Sequence, residues 1–229
     1  MEKIKVIGFD ADDTLWVNEP YFRETEIKFC ELLTNGMSLD EVTKELFAVE
    51  IGNIPLYGYG TKAFILSMLE TGLKITKGKL SPDKIQAIIE LGKEQINKPV
   101  ELINGVEDVL KGLFGKYRLI VATKGDLLDQ ERKLKKSGLL KYFHHIEVMS
   151  DKKVSDYEKL IKHLDITPSE FLMVGNSLKS DIMPVLKLGC KAIHIPFHTT
   201  WEHEMLSEKE IENSHFYKMK SIKDLLTFV

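Results

Sequence analysis

Ile4-Lys5-Val6-Ile7-Gly8-Phe9-Asp10-Ala11-Asp12-Asp13-Thr14-Leu15 begins as an apolar run and ends in three carboxylates within four residues. The run, residues 4–9, is rich in Ile and Val and nearly continuous, as a strand buried on both faces of a parallel sheet reads. Similar runs follow at 118–122, 146–149, 171–174 and 190–195. From the second onward, helical patterns at 127–136, 155–164 and 180–188 separate them. Strand and helix in alternation predict an α/β fold with a doubly wound parallel sheet, its ligand site beyond the carboxyl ends of the strands. Residues 10–15 fall at such an end.

Between the first two strands the alternation breaks, and residues 17–100 show helical patterns only. Ser38-Leu39-Asp40-Glu41 is a capping box, followed by Val42, Leu46 and Val49 on one face. Gly60-Thr61-Lys62 opens a run carrying Phe64, Ile65, Met68 and Leu69 that stops at Gly72. Ser81 and Pro82 supply an N-cap and a proline at the first helical position, and Ile85, Ile88, Ile89 and Ile96 share a face up to Pro99. With the segment after Pro20, about four helices are expected. The predicted organisation is an α/β core of residues 1–16 and 101–229, with an inserted helical domain at 17–100.

The chain has 229 residues, 43% apolar and 29% charged, which suits one large domain or a domain with an insert. With 35 acidic and 32 basic side chains the net charge is −3, so no bulk positive field exists to hold a nucleic acid or an anionic membrane. Cys30 and Cys190 stand alone, which argues against a disulfide framework and a thiolate zinc site. No secretory leader is legible before the first strand, and no run approaches the ~18–20 apolar residues that span a bilayer. The expectation is a soluble cytoplasmic protein.

The other strand ends carry complementary chemistry. Ala122-Thr123-Lys124-Gly125-Asp126 offers a hydroxyl and backbone N–H groups suited to a phosphoryl oxygen. Ser150-Asp151-Lys152-Lys153 offers ammonium groups, and Gly175-Asn176-Ser177-Leu178-Lys179-Ser180-Asp181 a close backbone approach and an acid able to join Asp10 on a cation. Each segment alone also reads as a polar turn, a helix cap or a solvated lysine pair. Acid pair, hydroxyl, lysine and acid in order on four successive strand ends read as one site.

On these residues the chain resembles a haloacid dehalogenase (HAD) superfamily hydrolase with a helical cap. Asp10-Ala11-Asp12-Asp13-Thr14 matches the superfamily's Asp-x-Asp-x-Thr motif, Thr123 the second motif, Lys152 the third, and Gly175-Asn176 through Asp181 the fourth. Asn104-Gly105-Val106 resembles the return from cap to core. Counting back from Tyr157 selects Lys152 over its neighbour Lys153. Two departures stand out: Asp13 where glycine is frequent, and Asn176 where many relatives carry an acid.

The resemblance implies an Mg²⁺-dependent phosphatase acting on a small phosphorylated metabolite through an aspartyl-phosphate. Asp10 would attack phosphorus, and Asp12 would protonate the leaving group and then deprotonate water. Ala11, Thr123, Lys124 and Lys152 would hold the phosphoryl oxygens. Mg²⁺ would take oxygens from Asp10, the Asp12 backbone and Asp181, with Asn176 and Ser180 supporting them. A dehalogenase expels halide, which needs no proton, so Asp12 favours phosphoryl chemistry. A phosphomutase or phosphotransferase could use the same site, and a phosphoacceptor signalling protein is a more distant alternative. The insert is expected to act as a lid. Its segment 53–62 reads either as a leaving-group surface or as aromatics packed between helices. The histidines at 194, 198 and 203 read as surface packing, and the run 132–136 as a solvated helix face.

Overall fold

The computed structural model describes residues 4–34, 36–206, 211 and 213–229, and no helix among them is long and apolar enough to cross a membrane. Six strands form one sheet: β1 (Val6–Phe9), β2 (Arg118–Lys124), β3 (His145–Met149), β4 (Phe171–Gly175), β5 (Lys191–His194) and β6 (Phe216–Lys218). Their order is β3-β2-β1-β4-β5-β6, and every neighbouring pair is parallel. The order reverses at β1, so the crevice between β1 and β4 is the topological switch point of the sheet. The chain divides into two compact units, Met1–Glu19 with Val100–Val229, and Pro20–Pro99.

The second unit holds α1 (Glu19–Leu33), α2 (Leu39–Tyr57), α3 (Thr61–Ile75) and α4 (Pro82–Asn97). At the start of α2 the Glu41 N–H donates to Ser38 Oγ, and the Ser38 N–H donates to Glu41 Oε2 at 2.8 Å, closing the expected capping box. Phe29, Leu33, Val42, Leu46, Phe64, Met68 and Ile88 form its core. Two boundaries differ from the sequence patterns. Helix α2 continues through Pro55 to Tyr57 and so takes in the first half of the segment 53–62. Pro55 lies in the final turn, so it removes one donor just before the helix ends at Gly58, whose φ is 72°. Helix α3 passes Gly72, which is no stop signal: the missing side chain leaves room for Leu80.

In the first unit, α5 (Val106–Leu113), α6 (Leu127–Lys136), α7 (Val154–His163), α8 (Met183–Lys187) and α9 (Leu225–Phe228) accompany the sheet. Alternate strand residues enter separate cores. Ile7, Phe9, Leu119, Val121, Leu172, Val174 and Ile193 pack with α5 on one face. Val6, Ile120, Ala122, Phe171, Met173 and Ala192 pack with α7 on the other. Burial on both faces is why these strands read as unbroken apolar runs. The short edge strand β6 went unpredicted, since three residues carry little periodicity; the helix α5 was also missed, although Val106, Val109, Leu110 and Leu113 stand at helical spacing on its buried face.

Candidate active site

The loop leaving β1 is shaped by its own backbone. The Asp10 N–H donates to the Val174 carbonyl at 2.9 Å, so the β1–β4 pairing reaches the first acid. The chain then turns: the N–H of Leu15 donates to the Ala11 carbonyl at 2.8 Å and that of Asp13 to the Trp16 carbonyl at 2.7 Å. Asp13 has φ 61°, the left-handed region that glycine enters freely and aspartate tolerates. Its carboxylate accepts the N–H groups of Asn18 at 2.9 Å and Glu19 at 3.0 Å, capping the entry into α1. Burial pushes the Asp13 carboxyl up to about 8, against the pull of those two amides.

Three of the motif residues meet beside this loop. Lys152 Nζ donates to Asp10 Oδ1 at 2.5 Å and to Asp181 Oδ1 at 2.6 Å, with the lysine side chain 1% exposed. Burial opposes the ammonium, but Asp10 and Asp181 more than offset it, and Lys152 titrates well above an ordinary lysine. The Asp10 carboxyl is raised by burial and by the charge on Asp181, while Lys152 opposes that rise. Thr14 Oγ1 donates to Asp10 Oδ2 at 3.0 Å and lies 3.3 Å from Asn176 Oδ1. Lys153, by contrast, has a side chain 73% exposed and pairs with Asp151. Geometry therefore separates the two adjacent lysines.

Asp181 sits on a single π-helical turn, Leu178–Ile182, which follows β4. Such turns occur often at functional sites. Asp181 Oδ2 accepts the Ser177 N–H at 2.9 Å, and the Tyr157 hydroxyl donates to the Ser180 carbonyl. Gly175 is required here, because a Cβ at that position would overlap the Asp181 carboxylate.

Asp12 lies apart from the lysine bridge, on partners the sequence patterns did not single out. Its Oδ1 accepts Trp16 Nε1 at 2.7 Å and Lys133 Nζ at 2.9 Å, and its Oδ2 accepts Gln130 Nε2 at 2.9 Å. Burial pushes its carboxyl up, but Lys133, Gln130 and Trp16 together bring it below the usual aspartate value. Gln130 Nε2 also lies 2.9 Å from Thr123 Oγ1, joining the second motif to Asp12. The expectation of a solvated basic face on α6 is thus corrected at Lys133, which points into the site. On the same helix Leu127 and Leu128 are exposed, while Gln130 and Leu134 are buried.

Lys124, expected on a phosphoryl oxygen, is committed elsewhere. Its Nζ donates to Glu204 Oε1 at 2.6 Å and to Ser180 Oγ at 2.9 Å. Glu204 Oε2 accepts the hydroxyls of Ser177 at 2.6 Å and Ser180 at 2.5 Å. Burial pushes the Glu204 carboxyl up, but Lys124 and the two serines overcome this and hold it at about 2. The loop after β5 therefore contributes an anion to the serine pair flanking the π turn. His194 is buried, with Nε2 3.0 Å from the Asn176 carbonyl, and His203 packs at a tilt against Trp201 and contacts Lys179.

The donor set suits a hard cation. Asp10 and Asp181 converge on one ammonium, which marks a position where positive charge is stabilised by two carboxylates. Among the described residues no three or more of His, Cys, Asp and Glu converge on a metal position. Mg²⁺ is commonly held by one or two carboxylates, with waters and substrate phosphate completing its shell. Asp10 and Asp181 fit that requirement.

Comparison with known proteins bears on the family and the fold. The family model for the haloacid dehalogenase-like hydrolases matches residues 4–189. A haloacid dehalogenase-like family hydrolase from Xanthomonas campestris is 33% identical, with a TM-score of 0.87 over 98% of this chain and 90% of that one. Human N-acylneuraminate-9-phosphatase is 24% identical over 203 residues, 84% of this chain and 82% of its own. The HAD-hydrolase YfnB from Bacillus subtilis, solved bound to magnesium, shares the fold at 16% identity, with a TM-score of 0.61 over 99% of each chain. With four motif segments on four strand ends of a parallel sheet and a family match over most of its length, the chain belongs to the haloacid dehalogenase-like hydrolases.

Proposed function

We propose that this hydrolase cleaves small phosphoric monoesters with Asp10 as nucleophile, Asp12 as general acid and base, and Mg²⁺ as cofactor. The observation that carries the reading is the buried Lys152 held between Asp10 and Asp181 at the β1–β4 switch point. A lysine there opposes the rise that burial and Asp181 impose on the Asp10 carboxyl, and lessens the nucleophile's repulsion from an anionic phosphoryl group. The phosphatase activity of the human relative points the same way.

The reaction proceeds in two displacements. An Asp10 oxygen attacks phosphorus, the bond from phosphorus to the leaving oxygen breaks, and Asp12, which must enter this step protonated against the pull of Lys133, Gln130 and Trp16, gives that oxygen its proton. Asp12 then takes a proton from water as the water attacks the aspartyl-phosphate, which releases inorganic phosphate and restores both carboxyl groups. Thr123 and Lys152 donate to the equatorial oxygens while charge spreads over them. Held by Asp10 and Asp181, Mg²⁺ would supply electrostatic neutralisation of the phosphate. We take residues 1–16 and 101–229 as the catalytic core, and 17–100 as the cap that carries leaving-group selectivity.

The test is hydrolysis of p-nitrophenyl phosphate by the purified chain with Mg²⁺, with excess EDTA, and for Asp10→Asn. Turnover that requires Mg²⁺ and disappears in Asp10→Asn is expected. Wild-type-like turnover by Asp10→Asn would overturn the nucleophile assignment.

A further inference from the structure

The three donors on Asp12 come from only two elements, its own loop and α6. Trp16 Nε1 and Lys133 Nζ both occupy Oδ1, at 2.7 and 2.9 Å. Gln130 Nε2 alone occupies Oδ2. A carboxylate gripped at both oxygens by three donors has little rotational freedom. The doubly occupied Oδ1 has no lone pair to spare, whereas Oδ2 keeps one. Gln130 Nε2 is 2.9 Å from both Asp12 Oδ2 and Thr123 Oγ1, so the available oxygen is one amide nitrogen away from the hydroxyl at the end of β2.

The two α6 side chains lie three residues apart, one turn of the same face, and both are turned inward. Gln130 is 2% exposed, and its Nε2 lies within reach of Asp12, Thr123 and the Lys124 carbonyl. Lys133 Nζ also donates to Asn18 Oδ1 at 2.8 Å, which fixes the ammonium from a second side. Three donors thus hold a single carboxylate, an indole, an ammonium and an amide, and the Asn18 side chain fixes the ammonium.

We infer that Lys133 and Gln130 are positioning residues that orient Asp12, leaving Oδ2 as the oxygen that exchanges a proton with the leaving group. The inference rests on the phosphatase reading, in which Asp12 is the general acid. Holding a proton donor in one orientation matters most when the leaving oxygen is basic and needs the proton.

The discriminating measurement is kcat/KM over a series of substituted phenyl phosphates, from p-nitrophenyl to unsubstituted phenyl, in the presence of Mg²⁺. Asp12→Asn sets the reference: it should raise the ratio of p-nitrophenyl to phenyl phosphate turnover by about a hundredfold. Lys133→Met and Gln130→Leu should each raise the same ratio by about tenfold or more, and Lys133→Arg, which keeps a donor, should return it to within about threefold of wild type. A role limited to anchoring α6 would lower all substrates together and leave the ratio unmoved. An unchanged ratio in Lys133→Met and Gln130→Leu, beside a raised one in Asp12→Asn, would overturn the inference and spare the phosphatase reading. Absence of turnover by the wild-type chain on every ester would overturn the phosphatase reading, and this inference with it.

Discussion

Replacing Glu204 by glutamine isolates the buried ion pair that ties the loop after β5 to the serines beside the π turn. The side chain is 12% exposed, and its oxygens accept from Lys124, Ser177 and Ser180 at 2.5–2.6 Å. A carboxyl held at about 2 in the fold, against 4.5 for the ordinary group, contributes about 3 kcal/mol to stability at pH 7. Because the folded value is depressed, this contribution is complete above the unfolded pKa and shrinks as pH falls toward 2. At pH 3 only about 1 kcal/mol should remain. Glu204→Gln should therefore be less stable than wild type by about 3 kcal/mol at pH 7, and the gap should narrow by about 2 kcal/mol at pH 3. Urea unfolding followed by tryptophan fluorescence measures it, since the two tryptophans, Trp16 and Trp201, both lie in the α/β unit. A gap that does not change with pH, or one below about 1 kcal/mol at pH 7, would refute the reasoning.

Gly175→Ala should displace the Asp181 carboxylate, weakening Mg²⁺ binding measured by calorimetry and raising the Mg²⁺ concentration needed for half-maximal activity. Lys152→Met leaves Asp10 and Asp181 facing each other without a cation, and should cost about 3–5 kcal/mol at neutral pH. That loss should shrink at acidic pH, where one carboxyl takes up a proton; thermal unfolding at the two pH values checks the sign. In the helical unit, a Cβ on Gly92 would collide with Ile65, so Gly92→Ala should destabilise it by about 1–3 kcal/mol, seen as an earlier loss of helical circular dichroism on heating.

The alternation of strands and helices was legible because burial on both sheet faces writes itself into sequence as unbroken Ile- and Val-rich runs. The strand-end acids were legible because a parallel sheet delivers successive strand ends to one edge, whatever their separation in sequence. The lysine at 152 could be chosen over 153 by its spacing from Tyr157, and the structure places Lys152 between the two acids. Boundaries at Pro55 and Gly72 misled, since both residues break helices on average and here occupy a last turn and a packing gap.

Sequence alone determined five of the six strands, the helical interruption after the first of them and the motif segments, because each is expressed in residues adjacent in the chain or repeated with a fixed period. The neighbours of Asp12 and Lys124 were decided by tertiary structure. Gln130 and Lys133 stand 118 and 121 residues from Asp12, and Glu204 stands 80 from Lys124. A polar side chain on a helix looks the same to periodicity whether it faces water or a buried carboxylate. The packing of α6 and of the loop after β5 supplies the missing fact, by bringing an ammonium and a carboxylate to partners that no local pattern connects.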